Sequence, residues 1–444
     1  MNSQNKGVTG DEVLIRDASF PKPFSNGLEF NPPVHGTWNI VHIGLQMPEA
    51  VQIYVCAKNC MRGVVLTAAE MNASDRFSFV ILEEEDMVRG GLDDVTIAGV
   101  IDVIQKRIRA GQKPKAVQLF PVCVHHFLGT DYKRMYRILE ETFPDIDFYQ
   151  AYMDPIMQKK GFTPDQKLRR AMFEHFLPGE PERKTAAILG CDFRIEDSSE
   201  IVQLLQTNGW RVRQIQDCHT YEEFLDLGKA ELFISVYPPG LLGTQAAAKR
   251  LGRKFLYLPS TFDQDEVGAQ LDQLAMTCGC DVQIPTKEQE LEEALEHLRQ
   301  KIGQAPIQID GTAHPRPLGL ARLLSAHGMR VEKVYLDAIS PEEEKAFLWL
   351  KENCPELVLS AIMHVRKRTY VSGQAERQKT IAIGQKAAYF ADTPHFVNIV
   401  QGFGLHGLDG AIRMCRLIEE AFEEEKDTRD IVPRKGLGCE SCLW

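Results

Sequence analysis

A chain of 444 residues, 44% apolar and 25% charged, has the composition of an ordinary globular protein and the length for roughly two to four domains. Its formal net charge of −11 argues against general nucleic-acid binding, which needs a concentrated basic face. No stretch is apolar for the ~18 residues that a bilayer requires, and the polar start MNSQNKGVTGDEV lacks a signal-peptide core, so a cytoplasmic protein without a membrane segment is expected. Eleven cysteines, odd in number and scattered, do not form a small disulfide scaffold; in a reduced compartment such residues are metal-binding, catalytic or simply buried.

Residues 1–35, through PKPFSNGLEFNPPVHG, are rich in Pro and Gly and read as an extended N-terminal arm. From 36 to 180 apolar strands alternate with amphipathic helices. AVQIYV (50–55) is a strand followed by a helix over 61–71, FSFVILEEED a second strand and DDVTIAGVIDVIQKRIRAG a helix. KAVQLFPVC (115–123) is a third strand and DYKRMYRILEETFP its helix. LPGEPERK (177–184) reads as a linker. A fresh strand–loop–helix–strand unit opens at KTAAILGCDFRIEDSSEIVQLLQTNGWRVRQI, and the plan recurs at APIQIDGTAHPRPLGLARLLSAHGMRVEKVYL, giving domains at 184–303 and 304–430 and a cysteine-containing tail at 431–444. The expected fold is α/β, with three domains built on parallel, doubly wound sheets.

Cys56 and Cys60, in VCAKNC, fall where the first strand passes into its helix, and Cys123 ends the third strand. Ligands of open α/β sheets bind beyond the carboxyl ends of strands, and a helix N-terminus at Cys60 favours the thiolate that ligates iron. Three thiols converging on one crevice and three ordinary core thiols are both compatible with this spacing. GCESC near the C-terminus places Cys439 and Cys442 as half of a tetrahedral site or as an exposed thiol pair. Cys191, Cys218, Cys354 and Cys415 have settings that fit burial, and CGC (278–280) does not readily place both thiols on one metal. GFGLHG (402–407) matches G-x-G-x-x-G, but a helix and the chain end follow it instead of a second strand with an acid, so dinucleotide binding is not expected.

CAKNCMRGVVLTAAEMNASDRFSFVILEEEDMVRGG (56–91) resembles a cluster-ligand region of the nitrogenase component 1 superfamily, in which a turn ending in Cys opens a helix and a strand and an acidic stretch follow. PVCVHHFLGTD (121–131) is similar to its next ligand region, and GFGLHGLDGAIRM (402–414) to its closing His-Gly helix entry. The resemblance covers most of the chain and implies three Rossmann-like domains. It further implies an iron–sulfur cluster, of the [4Fe–4S] type, on Cys56, Cys60 and Cys123. The family's first ligand region falls here on PPVHGTW, which has His35 and no cysteine; Cys56, His35 or a partner chain then completes the set, and Cys56 is preferred because thiolate suits such clusters better than imidazole.

A nitrogenase cofactor would need a further Cys near SVYPPGLLGTQAAAKRLG and a His near PHFVNIV. The first is missing and His395 is displaced, so dinitrogen is not the expected substrate. The implied function is the electron-accepting component of an ATP-dependent two-component oxidoreductase. Its partners would be a nitrogenase-reductase-like iron–sulfur ATPase, since this chain has no phosphate-binding G-x-x-x-x-G-K-[ST] motif of its own, and a sister subunit or second copy of itself. The alternative is a scaffold on which a metal cluster or cofactor is assembled.

Overall fold

The computed structural model describes residues 10–25, 30, 32, 34, 39–153, 162–282, 284–370 and 379–431; His35, Cys439 and Cys442 lie outside the described residues. Two compact units emerge. The first is built from Trp38–Asp192 with Trp210–Leu258, and the second from Phe193–Gly209 and Pro259–Leu437 together with the N-terminal segment. None of the described helices is long and apolar enough to cross a membrane.

The described chain opens with a short strand, β1 (Glu12–Leu14). The first sheet follows, with β2 (Ala50–Cys56), β3 (Phe77–Ile81), β4 (Ala116–Pro121) and β5 (Asp147–Gln150) in the order β3-β2-β4-β5, all parallel. Every residue of β2 and β4 is buried, as expected for parallel strands covered on both faces. Val51, Ile53 and Val55 face the helices Leu92–Arg109 and Tyr132–Thr142, whereas Tyr54 and Cys56 face the opposite side, in a core that includes Val64 and Ala68 of the helix Lys58–Glu70. The inward Gln52 and Gln118, partners in the β2–β4 register, bond to each other at 3.1 Å. They also tether the helix Ile40–Leu45 through its Val41 and Gly44 carbonyls, so neither amide is buried unpaired.

The second sheet, β6 (Glu182–Leu189), β7 (Arg211–Gln214), β8 (Ala230–Ser235) and β9 (Lys254–Tyr257), runs β7-β6-β8-β9 and belongs to the first unit. The third contains β10 (Ile307–Asp310), β11 (Val331–Tyr335), β12 (Val358–Ser360), β13 (Ile381–Ile383) and β14 (Phe396–Val397) in the order β12-β11-β10-β13-β14. Here β1 adds an antiparallel edge strand through Val13↔Leu359; the segment read as an extended arm thus enters the sheet at this point. The helix Glu200–Thr207, between β6 and β7 in sequence, is part of the second unit.

In each sheet the chain reverses its direction of winding once: between β2 and β4, between β6 and β8, and between β10 and β13. Such switch points leave a crevice beyond the strand ends. The second crevice is filled from within. Gly190 and Gly240 bring their backbones so close that a Cβ on either would lie 2.5 Å from the other's Cα, and Arg169 bonds Asp192 at 2.6 Å and the Gly190 carbonyl at 3.1 Å. The third is filled by the Asp310 carboxylate, which accepts from Thr312 N at 2.8 Å and Lys386 N at 2.7 Å, while a Cβ on Gly384 would meet Asp310 Cβ at 2.6 Å.

Gly240→Ala tests the close approach in the second crevice. Because the obstructing atoms are backbone, the loops must separate, and the variant is expected to lose about 1–3 kcal/mol in urea-induced unfolding, whereas Gly268→Ala, with open space at its Cβ, should not.

Candidate metal centre

The first switch point is lined differently. Beyond β2 the chain enters the helix Lys58–Glu70, whose third residue is the exposed Cys60; beyond β4 it enters the short helix Cys123–Phe127, where the half-buried Cys123 is the first residue. Both thiols line one cavity of about 490 Å³, whose remaining walls are Ala57, Leu82, Met87, Val122, Val124, Phe127 and Met153. Met153 reaches it because its backbone bridges to Val122, and the Cys123 thiol faces the Met153 carbonyl at 3.8 Å.

Cys56 is placed apart from these two. It is the last residue of β2, fully buried, and does not line the cavity. Burial, with the Cys60 thiol nearby as a second cause, pushes its pKa up to about 12. Cys60 and Cys123 are therefore brought together, and Cys56 stands behind them in the core.

The turn at Cys123 is held by His125. Its fully buried ring lies in the helix: Nδ1 accepts from Val122 N at 3.2 Å and Nε2 lies 2.9 Å from Thr96 Oγ1. Burial lowers its pKa to about 4, so the ring is neutral, and the backbone N–H on Nδ1 leaves its proton on Nε2, toward Thr96. On the cavity's margin the acidic stretch after β3 forms the helix Glu84–Val88, with Met87 turned to the cavity and Val88 84% exposed. Phe127 and Leu128 are 64% and 54% exposed, so three apolar side chains face solvent around two thiols.

Soft thiolates in an apolar surround are the donor chemistry of iron–sulfur clusters. Among the described residues no three His, Cys, Asp or Glu side chains are grouped to enclose a metal ion. The donors that the cavity brings together are the two thiols of Cys60 and Cys123, whose chemistry fits an iron–sulfur cluster.

The other candidates have structural settings. Cys191 and Cys415 are buried and Cys218 and Cys354 partly so; burial raises the first two to about 12 and Cys218 to about 11. Gly279 of CGC is the left-handed residue that ends the helix Gln264–Cys278. His395 Nδ1 lies 3.1 and 3.2 Å from the Ala421 and Glu424 carbonyls, at the end of the helix Gly407–Glu423. In GFGLHG the glycines allow close approach of the chain to itself: a Cβ on Gly404 would strike the Arg194 carbonyl and one on Gly407 the Glu200 carboxylate. That carboxylate accepts from Asp409 N at 3.0 Å in the helix's first turn, where a dinucleotide phosphate would have to sit.

Residues 41–419 match the family described as Nitrogenase component 1 type Oxidoreductase. The solved structure described as Nitrogenase Cp1 at pH 6.5 is similar over 93% of this chain and 95% of its own, with 14% identity and a TM-score of 0.64. A second, Nitrogenase Cp1 at pH 5, covers 93% and 94%, with 12% identity and a TM-score of 0.54. At these identities the likeness establishes the fold. No match was found among curated proteins.

The two thiol environments predict different reactivity. In cluster-free protein at neutral pH, brief iodoacetamide treatment is expected to label exposed Cys60 and spare Cys56, which is buried and, with its pKa near 12, protonated. Peptide mass spectrometry reads the ratio, and equal labelling would contradict the burial of Cys56.

Proposed function

The chain belongs to the nitrogenase component 1 type oxidoreductases, and from that membership we propose that it is the electron-accepting, iron–sulfur-binding component of an ATP-dependent two-component reductase. The observation that carries the proposal is the cavity at the first switch point, lined by Cys60 and Cys123, where the other two sheets close theirs with their own groups. Proteins of this family bind iron–sulfur clusters and work with an iron-protein reductase.

Cys60 and Cys123 are assigned as ligands, with Cys56 as the third and a second copy or sister subunit supplying the fourth of a [4Fe–4S] cluster. When bound, the cluster supplies one-electron transfer at low potential. The chain's part is to hold the thiols in the first turns of the helices beyond β2 and β4 and to wall the cavity with Leu82, Val122 and Met153. Exposed Val88, Phe127 and Leu128 support coverage of this margin by the second subunit. The electron donor is a nitrogenase-reductase-like iron–sulfur ATPase, and the location is cytoplasmic. The substrate is other than dinitrogen: SVYPPGLLGTQAAAKRLG (235–252) has no cysteine to serve as a cofactor thiol, and His395 is engaged by helix carbonyls.

The test is anaerobic purification followed by iron and acid-labile sulfide analysis and EPR, beside a Cys60→Ala, Cys123→Ala double variant. About four irons per chain or dimer, lost in the variant, are expected. An iron-free, well-folded protein after reconstitution would overturn the proposal. Release of the cluster to an apo-acceptor, with no ATPase-dependent reduction, would select the assembly scaffold instead.

A further inference from the structure

Away from the strand crevices, the second unit contains a cavity of about 250 Å³, lined in part by first-turn residues of three helices: Gln264–Cys278, Pro317–Ala326 and Glu344–Asn353. Several of its carboxylates already have partners. Asp263 caps the first helix through Glu266 N at 3.1 Å and pairs with Arg322 at 2.9 Å. Glu343 accepts from Leu318 N at 2.6 Å and Gly319 N at 3.0 Å, and Glu266 is paired with Arg316 Nη1.

Two donors in the lining are not matched. His314 Nδ1 lies 3.1 Å from the backbone N of Arg316, which can only donate, and farther, at 3.4 Å, from the Arg316 carbonyl. The ring proton therefore sits on Nε2, and that N–H has no hydrogen-bond partner among the described residues. Arg316 Nε has none either, since Glu342 Oε2 is 3.9 Å away. His314 is 1% exposed and Arg316 7%, and the imidazole stacks on Phe262 at 4.3 Å between centroids. Burial lowers the His314 pKa to about 3, so the ring is a neutral donor. An unmet buried donor costs about as much as a lost hydrogen bond, and two adjoining a cavity call for an acceptor inside it.

We propose that this cavity is a binding site for a small carboxylate or phosphate, whose oxygens accept from His314 Nε2–H and Arg316 Nε–H. Arg316, Arg322, Lys345 and the three helix starts offset part of the negative charge of the lining carboxylates Asp263, Asp265, Glu266, Glu292, Glu342 and Glu343. The carboxylates already present, and the volume, restrict the ligand to one anionic group on a few-carbon body or to free phosphate, and select against polyphosphates. The site is separate from the cysteine-lined cavity and does not depend on the cluster assignment.

The experiment titrates the full chain with inorganic phosphate and, separately, with propionate, at constant ionic strength in chloride. Thermal unfolding and the ring N–H resonances of 15N-histidine-labelled protein are followed. One of the two anions is expected to raise the unfolding temperature saturably at millimolar concentration and to shift a ring resonance that is missing in His314→Phe. That variant keeps an aromatic ring against Phe262 and should bind about tenfold more weakly. Which anion saturates distinguishes free phosphate from a carboxylate metabolite. Equal affinity in the variant and the parent chain overturns the proposal. Should the variant fail to fold, an unmoved His314 resonance in the parent chain with both anions leaves water as the occupant and overturns it equally.

Discussion

A parallel sheet that winds in both directions must open at its switch point, and this constraint organises the molecule. Three sheets create three crevices, and each has to be reconciled with the cost of burying unpaired backbone. The second is closed by two glycines in backbone contact and the Arg169–Asp192 pair, the third by the Asp310 carboxylate turned onto the amides of Thr312 and Lys386. Both closures use the polarity of the strand ends themselves. The first crevice has neither an inward carboxylate nor a glycine pair. It has two thiols and an apolar wall, whose side chains make one hydrogen bond to the backbone among the described residues, that of the Cys123 thiol to the Met153 carbonyl.

The placement of the three cysteines divides the cost of ligation unequally. A thiol must lose its proton to bind metal, and burial opposes that loss. Burial holds the Cys56 pKa near 12, and Cys60 and Cys123 border a cavity at helix starts. Under the proposed ligation, metal charge would have to offset the burial of Cys56 before it joined the set. The neutral His125 fits this arrangement: it fixes the turn at Cys123 through Val122 N without adding a charge to an apolar wall.

Much of this was legible in the sequence because it is local. The runs AVQIYV and KAVQLFPVC are strands since they are apolar on both faces, and strand ends put Cys60 and Cys123 at one sheet edge once the sheet is known to be parallel. Strand starts near 184 and 305 appear as β6 at Glu182 and β10 at Ile307. What was not legible depends on pairing at long range. The antiparallel strand β1 is disguised by Pro and Gly on its C-terminal side and is defined only by its contact with β12, far along the chain. Met87 and Met153 carry no motif and join the cavity through a short helix and a lone bridge. Even the burial of Cys56 turns on which face of β2 it occupies, since in a strand apolar on both sides alternation gives no signal.

The histidines show the same limit from the other side. His125, His314 and His395 are all buried, yet their hydrogen bonds separate them. His395 has helix carbonyls at Nδ1, and His125 has both ring nitrogens engaged, so each accounts for its own burial. His314 has one nitrogen satisfied by the residue two positions on and the other left as a donor beside Arg316. Residue type and spacing do not distinguish these cases; the inventory of donors and acceptors does. By that measure the two cavities ask for opposite chemistry. The cavity among the strand ends offers soft sulfur in an apolar surround and suits a metal cluster, whereas the cavity among the helix starts offers hard N–H donors and suits an oxygen anion.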